Sequence, residues 1–418
     1  MNKSLDVYCG GQMVGSLSVD DFEVYSFTYC SGWLQSASAY AVGLVLPLQA
    51  EPHKGPQVHN FFANLLPEGR VREMIERQLH TGHSDFALLW ELGRDVAGVL
   101  SLVPQGEAPG EETPAYRPIG AKSLNERLQA LGKAPILNRD ERCSLSLAGA
   151  QDKLNVLRRG SRFYLPLNGA PTNCILKIAS RDFPDIVFNE YLCMSIAAAA
   201  GLPCPAVSLL KLDGMRALAV ERYDRIVEPG SAIKRVHQQD FCQLLGLSHG
   251  DKYEYWGGPS LKQCAGVLST VSSMPVVDAE LLGKWYTFNL LMGNMDGHAK
   301  NISVLLTPRG WRLAPFYDIV HTLSYPGLRE TPAMNPAGGE MPLRDITGRV
   351  WLDTMTGIGL ARKRAIAWMQ ELCAATLKAC GSVGIRNKLT DAEKRTVARL
   401  EKSIRRNAEA VASRLGAV

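Results

Sequence analysis

The alternation of apolar and polar residues changes character along the chain. In the first fifty residues it runs with a period of two, in short stretches. Leu5-Asp-Val-Tyr8 and Met13-Val-Gly-Ser-Leu17 flank Cys9-Gly-Gly11, which predicts a β-hairpin. Residues 22–27 alternate as a half-buried strand does, and 42–46 read as another strand. A helix is predicted over 71–79 and a strand over 97–103. Residues 104–120 are rich in Pro, Gly and Glu and read as a linker or long surface loop. Strand patterns return at 144–147, 153–157, 162–165 and 173–178. A helix follows over 184–200 and stops at Gly201, as a helix with a C-terminal glycine cap does. Residues 207–211 and 217–220 form a predicted hairpin around Asp213-Gly214. Beyond Asp240 the pattern is mainly helical, with an apolar helix at 281–292 and a short hairpin around Pro308-Arg-Gly310. The last helix opens on Thr390-Asp-Ala-Glu393, a capping-box signature, and Val397, Leu400, Ile404, Val411 and Leu415 recur at helical spacing.

A β-rich part followed by a helical part predicts an α+β, two-lobed architecture. The expected divisions are a β-rich N-terminal subdomain at 1–104, a linker and connecting helix at 105–140, a nucleotide-holding part at 141–226, and a mainly helical lobe at 227–418. Composition adds few constraints. The 418 residues are 46% hydrophobic and 21% charged, ordinary for a soluble globular protein. No apolar run reaches the roughly 20 residues that span a bilayer, and the N-terminus lacks a signal-peptide pattern. A cytoplasmic protein without membrane contact is expected. The ten cysteines fit a reducing compartment, since none has C-x-x-C spacing. The net charge of +5 lies wholly at the C-terminus: nine Lys/Arg and four Asp/Glu follow residue 385, leaving 37 of each before it. That basic helix is either a solvated face or a contact for nucleic acid or an acidic partner.

Phosphoryl transfer needs a group to orient the acceptor hydroxyl, ligands for Mg²⁺ on the phosphates, and a cation on those phosphates. Asp296-Gly-His-Ala-Lys-Asn301 has the D-x-x-x-x-N spacing of a protein-kinase catalytic loop, between an apolar helix and an apolar strand. Asp296 is the candidate base and Asn301 a candidate metal ligand. Pro315-Phe-Tyr-Asp318 follows after one hairpin, so Asp318 stands where a kinase's second metal ligand would. The surrounding residues are Tyr-Asp-Ile rather than D-F-G. Upstream, Lys177 lies in the apolar run Ile175-Leu-Lys-Ile178. A buried lysine there needs a counter-charge, either a phosphate or Glu190 on the next helix; on an edge strand it would point to solvent instead. The small residues Ala148, Gly149 and Ala150 before that strand would let backbone N–H groups approach phosphates, although the stretch has one glycine and no G-x-G-x-x-G. His298 reads as a hydrogen-bonding scaffold of the catalytic loop rather than a metal ligand or base.

Together these stretches resemble the HipA family, kinase toxins of bacterial toxin–antitoxin modules. The resemblance is carried by Phe61-Phe-Ala-Asn-Leu-Leu-Pro67, Gly93-Arg-Asp95 with Gly98, Leu147-Ala-Gly-Ala-Gln-Asp-Lys153, Ile175-Leu-Lys177, Asn189-Glu190, Val220-Glu-Arg-Tyr-Asp-Arg225, Gln239-Asp-Phe-Cys-Gln243, residues 294–301 and Pro315-Phe-Tyr-Asp318. It implies a serine/threonine kinase using ATP and Mg²⁺. Asp296 would be the base, and Asn301 and Asp318 the Mg²⁺ ligands. Ser146, Ala148, Gly149, Ala150, Gln151, Lys153, Lys177, His298 and Lys300 would contact the nucleotide, with Glu221 and Tyr223 in the hinge that meets the adenine. The resemblance also implies self-inhibition by autophosphorylation at Ser146, a small helix-turn-helix antitoxin of the HipB type, operator DNA reached through that antitoxin, and an aminoacyl-tRNA synthetase as target. Two other classes stay open on the residues alone. One is a small-molecule or lipid kinase with the same lobes, and the other a non-catalytic nucleotide-binding regulator acting through an antitoxin on DNA.

Overall fold

The computed structural model describes residues 3–109, 114–131, 147, 151–228, 232–385 and 389–417. It divides into two units, Met1–Ser180 with Leu210–His249, and Arg181–Leu209 with Gly250–Val418.

In the first unit, β1 (Lys3–Cys9) and β2 (Gln12–Val19) pair antiparallel through the predicted hairpin. Gly10 and Gly11 both take the positive φ that such a turn requires, 55° and 83°. β3 (Tyr25–Tyr29), β4 (His53–Lys54) and β5 (Leu100–Pro104) complete a five-stranded sheet in the order β4-β3-β2-β1-β5. Alternate residues Leu5, Val7, Leu17, Phe27 and Leu102 point inward and are buried, under the helices Pro56–Ala63 and Asp85–Leu92. Residues 42–46 do not form the expected strand. Val42 and Leu46 are buried around a tight turn closed by Leu46 N donating to Gly43 O at 3.0 Å. Gly43 lies against Phe61, where a Cβ would come within 2.6 Å of the ring, so that apolar run satisfies the core without a ladder.

A second, six-stranded sheet runs β10-β11-β9-β7-β8-β6. Its strands are β6 (Ala115–Ile119), β7 (Lys153–Arg159), β8 (Arg162–Leu167), β9 (Cys174–Ile178), β10 (Val207–Leu212) and β11 (Met215–Glu221). β6 corrects the reading of 104–120 as loop throughout. It pairs with β8 from Ala115↔Leu167 to Ile119↔Phe163. As the edge strand it tolerates Pro118, which a central strand would not, and its loop-like flanks masked it.

A buried charge cluster ties the segment after β11 to the rest of this unit. Arg222 donates to both carboxylate oxygens of Asp224, at 3.0 and 2.8 Å, and to the Thr172 hydroxyl at 3.0 Å. Arg225 reaches Asp224 at 2.7 Å and Asp95 at 2.8 Å, and Arg235 lies 3.3 Å from Asp95. Thr172 donates its hydroxyl to Asp95 at 2.8 Å, and Gly98 N donates to Asp224 at 2.8 Å. Asp95 is fully buried and the three guanidiniums are at most 1% exposed. Burial alone would raise the carboxyl pKa of Asp95 and Asp224. The guanidiniums outweigh it and hold both below the usual range.

The second unit is mainly helical. Pro275–Met292 packs against Leu261–Val271, Arg362–Ser382 and Asp391–Leu415. It is apolar nearly all round, as a helix surrounded by others must be. The Thr390 capping box forms as expected, and Val397, Leu400, Ile404, Val411 and Leu415 are buried. Asp278, at 0% exposure, accepts from Ser272 (2.5 Å), Arg312 (2.9 Å) and Leu313 N (3.0 Å), fastening the hairpin Ser303–Thr307/Gly310–Leu313 to that helix.

Two predictions concern the first unit. Removing one partner of a buried ionic cluster leaves charge uncompensated, so Asp95→Ala lowers stability by about 3–5 kcal/mol in denaturant titration of the intact chain. A loss under about 1 kcal/mol would show that the cluster is solvated. Burial pushes the His237 imidazole down to about 4, and its neutral Nε2–H donates to Val42 O at 2.8 Å. The folded pKa lies below the ordinary value of about 6.5. Its contribution is therefore full above that pH and is lost on acidification towards 4. The stability difference between wild type and His237→Gln should shrink across that window; a pH-independent difference would contradict the buried neutral histidine.

Candidate active site

The candidate site residues fall in both units.

In the first unit, β9 lies inside the sheet between β11 and β7, so Lys177 is not on an edge strand. It is 8% exposed. Lys177 sits opposite Leu218 on one side and directly opposite Lys153 on the other. Two lysines at facing positions of an antiparallel ladder project to the same side of the sheet. The arrangement is locked at both ends of β9. Asn173 exchanges hydrogen bonds with Arg158, at 2.7 and 3.0 Å, and Gln151 Nε2 donates to Ile178 O at 3.2 Å. Asp152, between Gln151 and Lys153, has its carboxyl pushed up by burial, with Arg70 opposing. Glu221 ends β11 opposite Cys174 and is exposed; Tyr223 is half-buried. Around them Arg222, Asp224 and Arg225 are buried in the charge cluster, which fixes the backbone of this segment. Ser146, Ala148, Gly149 and Ala150 lie outside the described residues.

In the second unit, the apolar helix stops at Gly293, which caps it in the left-handed conformation at φ 63°. A Cβ there would stand 2.8 Å from His321 Nδ1, so only glycine lets the chain turn into the loop. The loop 294–301 is bonded to itself and to the chain beneath. Asn294 Nδ2 donates to Asn289 Oδ1 at 2.7 Å, and its Oδ1 accepts from Asp296 N at 3.1 Å. Asn301 Nδ2 donates to the Asp296 carbonyl at 2.8 Å. Asn294, His298, Lys300 and Asn301 are buried, whereas the side chain of Asp296 is exposed.

The segment carrying Asp318 is stitched to this loop. Tyr317 donates its hydroxyl to Lys300 O at 2.7 Å and accepts from Ser303 Oγ at 2.7 Å. Thr322 Oγ1 accepts from Met295 N at 2.8 Å and donates to Gly293 O at 3.0 Å. His321, kept neutral by burial, donates from Nδ1 to Met292 O at 2.7 Å and accepts at Nε2 from Ser403 at 2.8 Å. Asp318 itself has φ 57°, a left-handed backbone that costs a non-glycine residue about 1–2 kcal/mol. Such strain is retained where surrounding structure over-determines it, commonly at functional positions. The second unit thus brings Asp296, His298, Lys300 and Asn301 into one loop and bonds the Asp318 segment to it. Carboxylate and amide oxygens are the hard donors that Mg²⁺ prefers, so Asn301 and Asp318 suit that ion beside phosphate oxygens.

One contact was not foreseen. Tyr253, 43 residues before Asp296, donates its hydroxyl to Asp296 Oδ1 at 2.6 Å. Nothing in the spacing of Tyr253-Glu-Tyr-Trp256 marks it.

Comparison with known proteins agrees with the resemblance read from the motifs. Residues 5–103 match the model of the HipA N-terminal domain and residues 145–380 that of the HipA-like C-terminal domain. Y4mE of Sinorhizobium fredii, named as a kinase, is 36% identical over 369 residues, 86% of this chain and 88% of that protein. The serine/threonine-protein kinase toxin HipA of Shewanella oneidensis is 30% identical over 377 residues, 87% and 85% of the two chains. The solved complex of Shewanella oneidensis HipA, HipB and operator DNA contains a chain that superposes with a TM-score of 0.84 at 27% identity, covering 99% of each. That likeness includes both sheets and the helical part, so the α+β fold is that of HipA. With both parts of the chain matched, and relatives at this identity along most of its length, the chain belongs to the HipA family.

Proposed function

We propose that this chain is an ATP- and Mg²⁺-dependent protein serine/threonine kinase, the toxin of a bacterial toxin–antitoxin pair. The observation that carries the reading is the direct opposition of Lys153 and Lys177 on the inner strands β7 and β9. Both side chains project from one face of the sheet's interior, Lys177 buried and Lys153 half-buried, so two cations are offered to one ligand. A triphosphate carries the several negative charges that suit such a pair.

The other roles are proposed from the resemblance, and the geometry of the described residues is consistent with them. Glu221 and Tyr223, on a backbone pinned by the buried charge cluster, offer the adenine a rigid edge. Gln151 and the segment holding Ser146, Ala148, Gly149 and Ala150 cover the phosphates. His298 and Lys300 complete the nucleotide contacts from the catalytic loop. Asn301 and Asp318 hold Mg²⁺, which neutralises charge on the phosphates. Asp296, exposed on an otherwise buried loop, takes the proton from a serine or threonine hydroxyl as that oxygen bonds to the γ-phosphorus and the bond to the ADP oxygen breaks. In the proposed division of labour, 1–104 is the N-terminal subdomain, 105–140 the connection, 141–226 the nucleotide-holding part and 227–418 the catalytic helical part.

Regulation and partners are proposed from the relatives. Autophosphorylation of Ser146 would add about −1.5 to −2 charge to a phosphate-binding segment and switch the kinase off by repulsion. The Shewanella oneidensis complex holds HipB and operator DNA. A HipB-type helix-turn-helix antitoxin is accordingly the proposed partner here, with operator DNA reached through it. An aminoacyl-tRNA synthetase is the proposed target, and inhibition of translation the consequence. The proposed place of action is the cytoplasm. Among the described residues no helix is long and apolar enough to cross a membrane.

The test is transfer of label from γ-labelled ATP with Mg²⁺. Wild type should label protein, Ser146 of its own chain included. Asp296→Ala should reduce transfer by about 10²–10⁴-fold, the usual contribution of a general base. Equal labelling by both proteins, or turnover confined to a sugar or lipid, would overturn the reading.

A further inference from the structure

The contact between Tyr253 and Asp296 is held on every side by the second unit. The Lys252 carbonyl accepts from Ala299 N at 3.2 Å, inside the catalytic loop. Glu254 N donates to Ala333 O at 3.1 Å, and Asn335 N donates to Glu254 Oε2 at 2.6 Å. The Tyr253 carbonyl accepts from Trp256 N at 3.0 Å and Gly258 N at 2.9 Å, closing a turn. That turn requires glycine at 258, where a Cβ would come within 2.3 Å of Asp251 O. The tyrosine ring is gripped as well. It meets His298 edge-on, centroids 4.9 Å apart at 84°, and stacks on Tyr255 at 5.0 Å with the rings tilted by 23°. Lys252 Nζ lies 5.5 Å from its centroid. The hydroxyl therefore arrives at Asp296 with its position already set.

Asp296 needs such a partner. Its side chain is exposed, so water competes for its oxygens, and a donor held by the fold narrows the rotamers open to it. A base in a phosphoryl-transfer site must present an oxygen to the acceptor hydroxyl in a near-attack arrangement, and small misplacements are costly. A donor fixed by the fold at 2.6 Å settles that orientation before any substrate arrives.

We propose that Tyr253 is a positioning residue, whose hydroxyl holds the Asp296 carboxylate in the orientation that receives the acceptor proton. The proposal rests on the kinase reading of Asp296. The tyrosine hydrogen stays on its own oxygen throughout. The acceptor proton goes to Asp296, the new bond joins the acceptor oxygen to phosphorus, and the electron pair of the broken bond leaves with ADP. His298 has a second use in this arrangement, as the wall against which the Tyr253 ring is set.

The experiment uses the full chain with ATP and Mg²⁺ and reads the initial rate of ADP release, before Ser146 phosphorylation switches the kinase off, so that no particular acceptor protein is required. Tyr253→Phe keeps the ring and its packing on His298 and Tyr255 and removes the hydroxyl alone. Its turnover should fall between about tenfold and a hundredfold, with KM for ATP and the thermal midpoint unchanged. In the Asp296→Ala background the same change should have no further effect, because the hydroxyl acts through that carboxylate. Wild-type turnover in Tyr253→Phe overturns the proposal alone, as does an equal loss in both backgrounds, which would mark a structural role independent of Asp296. Wild type that releases no more ADP than Asp296→Ala removes the kinase reading and the proposal with it.

Discussion

Two carboxylates and three guanidiniums meet out of water in the first unit: Asp95 and Asp224 with Arg222, Arg225 and Arg235. The guanidiniums are tolerable because carboxylates and backbone carbonyls such as Val96 O and Gly98 O accept from them, and the carboxylates because guanidiniums, Gly98 N and the Thr172 hydroxyl donate to them. The cluster reaches Thr172 just before β9, and the segment just after β11. Those two strands are partners in the sheet. By fixing the ends of both, the cluster contributes to the register that sets Lys177 beside Leu218. A slip of one residue would turn Lys177 to the opposite face. The proposed phosphate site thus depends on charges that have no part in the chemistry.

The second unit meets a different demand. A base must be open to its substrate while the loop bearing it keeps one shape. The loop 294–301 achieves this with nearly all its members buried and bonded, and Asp296 left at the surface. Its supports come from several places: the cap at Gly293, Thr322 and His321 from behind, and Tyr253 from the side. The left-handed backbone of Asp318 is affordable in such a setting, since Tyr317 beside it is anchored to Lys300 and Ser303.

Much of this could be read from the order of residues. The Asp–x₄–Asn spacing, the later Asp318, the Thr390 capping box and the hairpins around Gly10-Gly11 and Gly310 are local patterns, and local patterns survive without knowledge of the fold. Lys177 was visible as a charge in an apolar run. Its opposition to Lys153 was not, because cross-strand register depends on bulges and ends that no single strand records. Tyr253 was invisible for the same reason: its role comes from a contact 43 residues away. Strand β6 was hidden by its neighbours' composition, and residues 42–46 misled because an apolar alternation can be satisfied by a buried turn as well as by a ladder. Arg222 stands between the two hinge candidates Glu221 and Tyr223, with Asp224 and Arg225 just after, and their burial shows that the same stretch carries the charge cluster.

In the proposed site, Lys153 and Lys177 face one another across β7 and β9 to seat a nucleotide's phosphates. The most direct test is thermal unfolding of the intact chain with Mg-ATP, set against adenosine, for wild type and Lys177→Met. A ligand that binds the folded state at about 100 times its Kd stabilises it by about 2.7 kcal/mol. The midpoint of wild type should therefore rise with Mg-ATP and hardly at all with adenosine. Lys177→Met should unfold cooperatively and show no rise with either. A variant that keeps the full Mg-ATP rise, or a wild type stabilised equally by adenosine, would contradict the account.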